Sequence, residues 1–501
     1  MTNEKIACEV CSASAPLTSC IKVDGLSYCS KDCSIRREEM PQRKRQRTAL
    51  KRPQPFDWGT YLDSNKADAA PVHSFKHCTS DEWLEVFIGT KVEVALPKLE
   101  KDIDEDCYWI ASIVKTAGYK AKLRWEGCGS DSSLDFWMSI TSPDIHEISW
   151  AAAHRKKLVP ALSQWAKKTD WREYLLRKLV GCRTLPDNFR TRFLDKIGKH
   201  RFCKGMRLEI MDKMCVAAMK VAKVVEVVDC RLHLQYEGAG VGNDSNDFWC
   251  HTSSSLIHPV GWAAHVGHRL HASAEYIQSS QDKFRSATPH PDDTTLDMFN
   301  NDPLNVYPPG AGSGFAVGMK LEAIDPLNLS AICVATVMKV LKDNYLMIGI
   351  DGCMDKRGND WFCYHATSAS LLPAGYCDIN NIPLTPPKGY EGKFSWRKYV
   401  VTTQSRLAPV TLFTTKVPPH SFRKGIKLEA VDLMDPKLIC VGTVQDVVGR
   451  LLRIRFDGWE DSFDQWVDVE SPDIYPVGWC ELINYSLERP RTGDVKGAKT
   501  K

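Results

Sequence analysis

In LLRIRF, residues 451 to 456, apolar and charged side chains alternate: Leu452, Ile454 and Phe456 fall on one face, Arg453 and Arg455 on the other. A period of two predicts a strand with one buried face. The Asp457-Gly458 pair that follows predicts a tight hairpin turn. Upstream, ICVGTVQDVV (439 to 448) is rich in β-branched residues, and several such short strands within ~70 residues predict a small barrel. A second pattern is helical. Aromatics at near-helical spacing in FDWGTYL (56 to 62), DWREYLL (170 to 176) and FSWRKYV (394 to 400) predict short amphipathic arms that pack on a neighbouring unit, each arm preceding its body.

The same pattern returns four times. A start motif recurs as VFIGTKVEV (86 to 94), RFCKGMRLEIMD (201 to 212), GFAVGMKLEAID (314 to 325) and SFRKGIKLEAVD (421 to 432), its glycines 116, 113 and 107 residues apart. An end motif keeps step: SPDIHEISW closing at Trp150, SSLIHPVGW at Trp262, ASLLPAGY at Tyr376 and SPDIYPVGW at Trp479. Ser, Asp, Pro and Gly gather between 270 and 313, which predicts a flexible or surface-hugging connection. The tail after about 486 has almost nothing to bury and reads as disordered.

LEAVD followed by SPDIYPVGW at the end of each unit resembles the malignant-brain-tumour (MBT) repeat of Polycomb-related proteins, over residues 56 to 486. The resemblance implies a mainly β fold of four tandem MBT repeats, each a small SH3-like β-barrel with a helical or extended arm. The divisions it implies are 56–160, 161–271, 272–385 (with the long linker 272–313) and 386–486, followed by the tail 487–501. It also implies a nuclear chromatin reader with a pocket for lower-methylated lysine.

In that family the pocket is an aspartate just after the LEA motif and three aromatics, one ending a strand and two in the loop beyond. Carried onto the fourth repeat these are Asp432, Phe456, Trp459 and Phe463. With the aromatic opening the next segment as anchor (Trp137, Trp249, Phe362, Trp466), the first repeat offers Leu96, Trp125, Cys128 and Leu134. The second offers Asp212, Tyr236, Ala239 and Asn246, and the third Asp325, Ile350, Cys353 and Asn359. None of these sets makes a cage. Asp435 stands where relatives often have Asn. The chemistry follows from the residue types. Aromatic faces attract a methylammonium at ~0.5 to 2 kcal/mol per good contact. A buried carboxylate adds a charge-assisted hydrogen bond only where the ligand nitrogen keeps a hydrogen, as mono- and dimethyl-lysine do and trimethyl-lysine does not.

Nineteen cysteines are present, and CEVC with YCSKDC places Cys8, Cys11, Cys29 and Cys33 in two close pairs seventeen residues apart. Four thiolates so spaced can close one tetrahedral, structural zinc site that a segment of this size needs in order to fold. Cys20 lies in the gap. The segment 1–36 resembles an FCS-type zinc finger, with Tyr28 where that family's Phe stands. Residues 37–55 form a basic linker. The stretch RREEMPQRKRQRTALKRP (36 to 53) carries eight Lys or Arg against Glu38 and Glu39, the pattern of a nuclear-import signal or a sequence-blind phosphate contact.

The whole chain has a net charge of only +4, so any nucleic-acid binding needs a local basic patch. No signal-peptide pattern opens the chain, and no run of ~18 apolar residues spans a membrane. No P-loop, GxGxxG, GxSxG or HExxH is found, so no enzyme is expected. His265 and His268 have no acid or nucleophile nearby in sequence and read as surface or packing residues. Two functions compete. One is reading of mono- or dimethyl-lysine on histone H4 or H3 tails by the fourth repeat, within a Polycomb-type repressor or a histone acetyltransferase complex. The other is an RNA- or DNA-binding scaffold that acts through finger and basic segment.

Overall fold

The computed structural model describes residues 56–491 except 97–106, 162–169, 239–246, 281–283, 285–289, 300–302, 307–311, 353–357 and 415, together with the strands Lys5–Ala7, Ser14–Pro16, Ile21–Val23 and Leu26–Tyr28. Those four strands make two antiparallel hairpins, the first pairing Lys5 with Pro16 and the second Ile21 with Tyr28. Cys8, Cys11, Cys29 and Cys33 lie outside the described residues.

Each start motif begins a sheet and each end motif finishes it. In the fourth repeat the order is Gln465–Asp468, Leu451–Phe456, Ile439–Val448, Lys427–Val431, Ile474–Tyr475, all antiparallel, with Leu487–Glu488 lying parallel beside Ile439 and Cys440. The other three repeats share this order, and the third adds Arg406–Leu407 beside Met319–Asp325. A bulge falls at one place in all four, between Ile113 and Lys115, Val224 and Glu226, Val337 and Lys339, and Val444 and Asp446. Bulges sharpen bend and twist, so every sheet curls. The curl stops short of the expected closed barrel: the ladder runs out at two edge strands, leaving a half-barrel.

What joins the two ends of each repeat is the glutamate of the start motif. Glu93, Glu209, Glu322 and Glu429 are buried, and each accepts two backbone N–H groups from the turn that opens the end-motif helix. The donors are Ser149 and Ala151 (2.8 and 2.6 Å), Gly261 and Ala263 (2.8 and 2.7 Å), Gly375 and Cys377 (2.6 and 2.8 Å), and Gly478 and Cys480 (both 2.8 Å). Burial holds the Glu209 carboxyl up at about 7 and raises Glu93 and Glu429 as well.

The arms pack on neighbouring bodies, as the aromatic spacing predicts, and each of the two inner arms completes the body before it. The arm at 170–176 follows the first body and packs on it: Trp171 meets Trp109 edge-on at 5.1 Å, and the Tyr174 hydroxyl donates to Glu126 at 3.2 Å. Trp396 and Tyr399 likewise serve the third body, through Glu322 (2.8 Å) and Asp351 (2.6 Å). The second body is completed by the helix Ala274–Ser280, whose Tyr276 donates to Glu209 at 3.4 Å. The connection 270–313 is thus anchored at several points, with Tyr276, Thr294 and Phe299 buried. The fourth body is completed by the arm at the far end of the chain. Trp58 reaches Glu429 at 2.8 Å, Tyr61 reaches Asp457 at 2.6 Å, and Ala69 pairs with Lys427. The four repeats therefore close into a ring of dependence.

The junction of the first and fourth repeats is a continuous core. Tyr119 donates its N–H to the Val477 carbonyl at 2.8 Å, and a side chain at Gly118 (φ 56°) would meet that carbonyl at 2.4 Å. Arg231 of the second repeat is buried against the same region, donating to the Pro436 carbonyl and, at 3.4 Å, to the Tyr475 hydroxyl. His265 pairs with Asp343 of the third repeat at 2.7 Å, and His268 is buried with its imidazole held down at about 4; both are packing residues. Among the described residues no helix is long and apolar enough to cross a membrane, and no cluster of His, Cys, Asp or Glu is arranged to hold a metal.

Candidate functional site

The site is built from three pieces of the fourth repeat. Asp432 follows the strand Lys427–Val431 directly. It is 3% exposed, and its Oδ1 accepts the Met434 N–H at 3.1 Å while its own N–H donates to the Leu438 carbonyl at 2.9 Å. Phe456 ends the strand Leu451–Phe456, is 2% exposed, and belongs to the core shared with the first repeat. The turn after it closes through the Trp459 N–H on the Phe456 carbonyl at 3.1 Å, around Gly458 at φ 80°. Trp459 and Phe463, the latter in the 3₁₀ turn Asp461–Phe463, are half-buried against that core. Their rings meet edge-on, 5.4 Å between centroids at 69°. The two half-buried rings thus stand side by side.

Residues that the aromatic pattern did not single out hold this loop in place. Asp464 is buried and takes Arg455 at 3.1 Å on both oxygens and Arg453 at 2.9 Å, tying the loop to its strand. Gln465, 1% exposed, brackets the acid: its amide donates to the Val431 carbonyl at 2.7 Å and its carbonyl accepts the Leu433 N–H at 3.2 Å. Arg491 lies over Trp459 with its guanidinium carbon 3.7 Å from the ring centroid, and its backbone runs so close to Gly458 that a Cβ there would meet it at 2.6 Å. The Asp464 anchor was visible in the sequence as an acid after the first, second and fourth loops, for Asp135 takes Arg124 at 2.7 Å and Asp247 takes His233 at 2.7 Å. Arg491 left no such signal.

The corresponding places in the other repeats are occupied from within. In the second, Lys220 sits 3.1 Å from Asp212 and 5.1 Å from the Tyr236 ring, and His271 lies 3.3 Å from the other Asp212 oxygen. In the first, Trp125 closes on Phe136 at 4.6 Å. In the third, Asn359 takes Arg269 at 2.8 Å. Ala239, Asn246 and Cys353 lie outside the described residues. Asp212 and Asp325 cap the same turn as Asp432, accepting Met214 N–H and Leu327 N–H, both at 2.9 Å. Strand pairing also corrects the third-repeat anchor by one residue. Phe362 faces Ile348 as Gln465 faces Ile454, so Cys363, and not Phe362, matches Trp466.

Comparison with known proteins identifies the repeat. The mbt repeat family model matches residues 91–163, 206–277, 319–391 and 426–494. MBT domain-containing protein 1 of Xenopus laevis is 48% identical over 87% of this chain and 68% of its own length, and the human protein 48% over 87% and 67%. Polycomb protein Sfmbt of Drosophila melanogaster is 43% identical over 87% of this chain, which spans 36% of that relative. A crystal structure of the four MBT repeats of Drosophila Sfmbt, in complex with the peptide RHR(me)KVLR, superposes with a TM-score of 0.77 at 41% identity, covering 87% of this chain and 99% of that one. With all four repeats matched in order, this chain belongs to the MBT-repeat family.

Proposed function

We propose that this chain is a non-enzymatic, Polycomb-related chromatin protein that reads mono- and dimethyl-lysine through Asp432, Phe456, Trp459 and Phe463. The observation that carries the proposal is the buried Asp432, bracketed by Gln465 at the end of a loop that sets two half-buried rings edge to edge. The rings favour a cation that has shed its water, and the acid asks for an N–H on it. Unmethylated lysine is the more strongly hydrated cation and loses more on entry. Glu460 and Asp461, exposed on the loop, suit a basic peptide such as a histone H4 or H3 tail. The methylated-lysine peptide bound by the Sfmbt repeats supports the same ligand class. A nuclear location and a place in a Polycomb-type repressor or histone acetyltransferase complex follow from this role.

The repeat divisions 56–160, 161–271, 272–385 and 386–486 remain part of the proposal, as does one structural zinc held by Cys8, Cys11, Cys29 and Cys33. The two described hairpins support the finger, since Cys8 directly follows Lys5–Ala7 and Cys29 directly follows Leu26–Tyr28. The reader proposal is tested by calorimetric titration of the chain with un-, mono-, di- and trimethylated histone peptides, repeated with Asp432→Asn and Trp459→Ala. The expected result is binding of the mono- and dimethyl forms, abolished by either substitution. Tight trimethyl binding, or unchanged binding in both variants, would sink it. For the finger, one zinc per chain, lost to chelator with unfolding of residues 1–36, is the expected outcome.

A further inference from the structure

The connector between the third and fourth repeats is the longest stretch of the chain without an acid. The chain has 62 acids in 501 residues, yet residues 392–428 hold none, against eight Lys or Arg. Three of these eight are neutralised by the fold: Arg423 by Asp68 at 2.7 Å, Lys424 by Asp446 at 3.1 Å and Lys427 by Asp457 at 2.5 Å. The other five, Lys393, Arg397, Lys398, Arg406 and Lys416, are exposed, and none has an ion-pair partner among the described residues. The flanking acids in sequence are Glu391 and the buried Glu429.

These cations are held on a firm base. Trp396 and Tyr399 of the helix Trp396–Thr402 are tied to Glu322 and Asp351, which turns Arg397 and Lys398 outward. Arg406 starts a strand paired with Met319. Between them Gln404 is exposed, and its side-chain amide is a neutral donor of the kind that phosphate oxygens accept, while the Thr402 and Thr403 hydroxyls donate to the Lys398 and Tyr399 carbonyls. The aromatics of the segment, Phe394, Trp396 and Tyr399, are half-buried and engage one another at 5.2 to 6.2 Å, so none stands fully open to an unpaired base. A surface of exposed cations with no fully exposed ring fits a duplex backbone better than a single strand.

We propose that this connector is a second interaction surface, separate from the pocket, that binds the phosphodiester backbone of duplex DNA without regard to sequence. It is distinct from the basic stretch 36 to 53. Val401 and Val410, exposed beside the cations, would instead serve an acidic protein partner, and the test separates the two.

The test uses the full chain with Arg43, Lys44, Arg45 and Arg47 changed to Gln, so that the N-terminal stretch does not mask the connector. Its affinity for a labelled 30-base-pair duplex is measured against salt, with and without Arg397→Glu, Lys398→Glu and Arg406→Glu together. The triple variant is expected to lose roughly tenfold or more in affinity at ~0.1 M salt, and to lower the log–log salt slope by about 3, at ~0.9 per phosphate contact. An unchanged thermal unfolding midpoint shows that the variant is folded. Retained methyl-lysine peptide binding separates this surface from the pocket. Equal affinity and slope in the two chains would overturn the proposal. So would preferential binding of single-stranded RNA of the same sequence, or competition by an acidic peptide with no measurable duplex binding.

Discussion

The indole N–H of Trp58 donates to the Glu429 carboxylate at 2.8 Å, across 371 residues of chain, so the first described arm completes the last repeat. Trp396 makes the same bond to Glu322 at 2.8 Å from only 74 residues away. Both glutamates already accept two backbone N–H groups, and Glu429 is buried. Trp58→Phe keeps the ring's bulk and removes the donor. It is expected to destabilise the chain by about 1–3 kcal/mol, the cost of a buried charged acceptor left one bond short. Equilibrium urea unfolding measures this, and Trp396→Phe provides the matched control.

Asp464 is the anchor of the aromatic loop, and its carboxylate pairs with Arg453 and Arg455, neither of which is one of the four proposed site residues. Asp464→Asn leaves the size unchanged and weakens the pairing with Arg453 and Arg455. Peptide affinity is expected to fall several-fold, because a looser loop must be ordered at each binding event, at ~0.5–1.5 kcal/mol per immobilised side chain. Unchanged affinity by calorimetry would show that the loop holds its shape without the anchor.

Arg491 already spends one cation on the Trp459 face, at 3.7 Å. A second cation at the same ring meets like charge and a ring polarised away from it. Arg491→Ala is therefore expected to tighten methyl-lysine peptide binding by about 0.5–1 kcal/mol, the size of one exposed cation–π contact. Weaker binding in this variant would mean that the arginine acts as a brace for the ring.

His77 is largely enclosed, its Nε2 shut off from solvent, where the first, second and fourth repeats meet, edge-on to His251 at 5.1 Å and to Tyr475 at 5.3 Å, with Arg231 close by. Burial holds its pKa down at about 4, against 6.5 for the free imidazole. Between these values the unfolded chain binds the extra proton, so stability is complete above pH 6.5 and is lost as pH falls toward 4. Glu209, held up at about 7, works in the opposite sense, since its folded form keeps the proton. Comparison with a variant isolates the histidine. From pH 7 to pH 5 the wild type is expected to lose about 2 kcal/mol of stability relative to His77→Gln. Denaturant titrations at the two pH values read this out.

The number of repeats, the strand pattern and the crowding of rings after Phe456 were legible because they are local. Alternation along LLRIRF and the Asp-Gly turn act between neighbours in the chain. The same holds for the contrast between RFDGWEDSF and the three sister loops. The register of the third repeat was not legible: a one-residue offset at Phe362 shows only when the strand is laid beside Ile348.

By itself the sequence determined four copies of one sheet, the positions of their start and end motifs, and which copy keeps acid and aromatics together. Only the tertiary structure decided which body each arm completes. It also decided that the start-motif glutamate ties the end-motif turn, and that Asp464, Gln465 and Arg491 surround the proposed pocket. The reason is physical. Hydrophobic period and turn chemistry are set by adjacent residues, whereas a buried carboxylate takes whichever donor the chain's path brings to it, and for Glu429 that donor is Trp58.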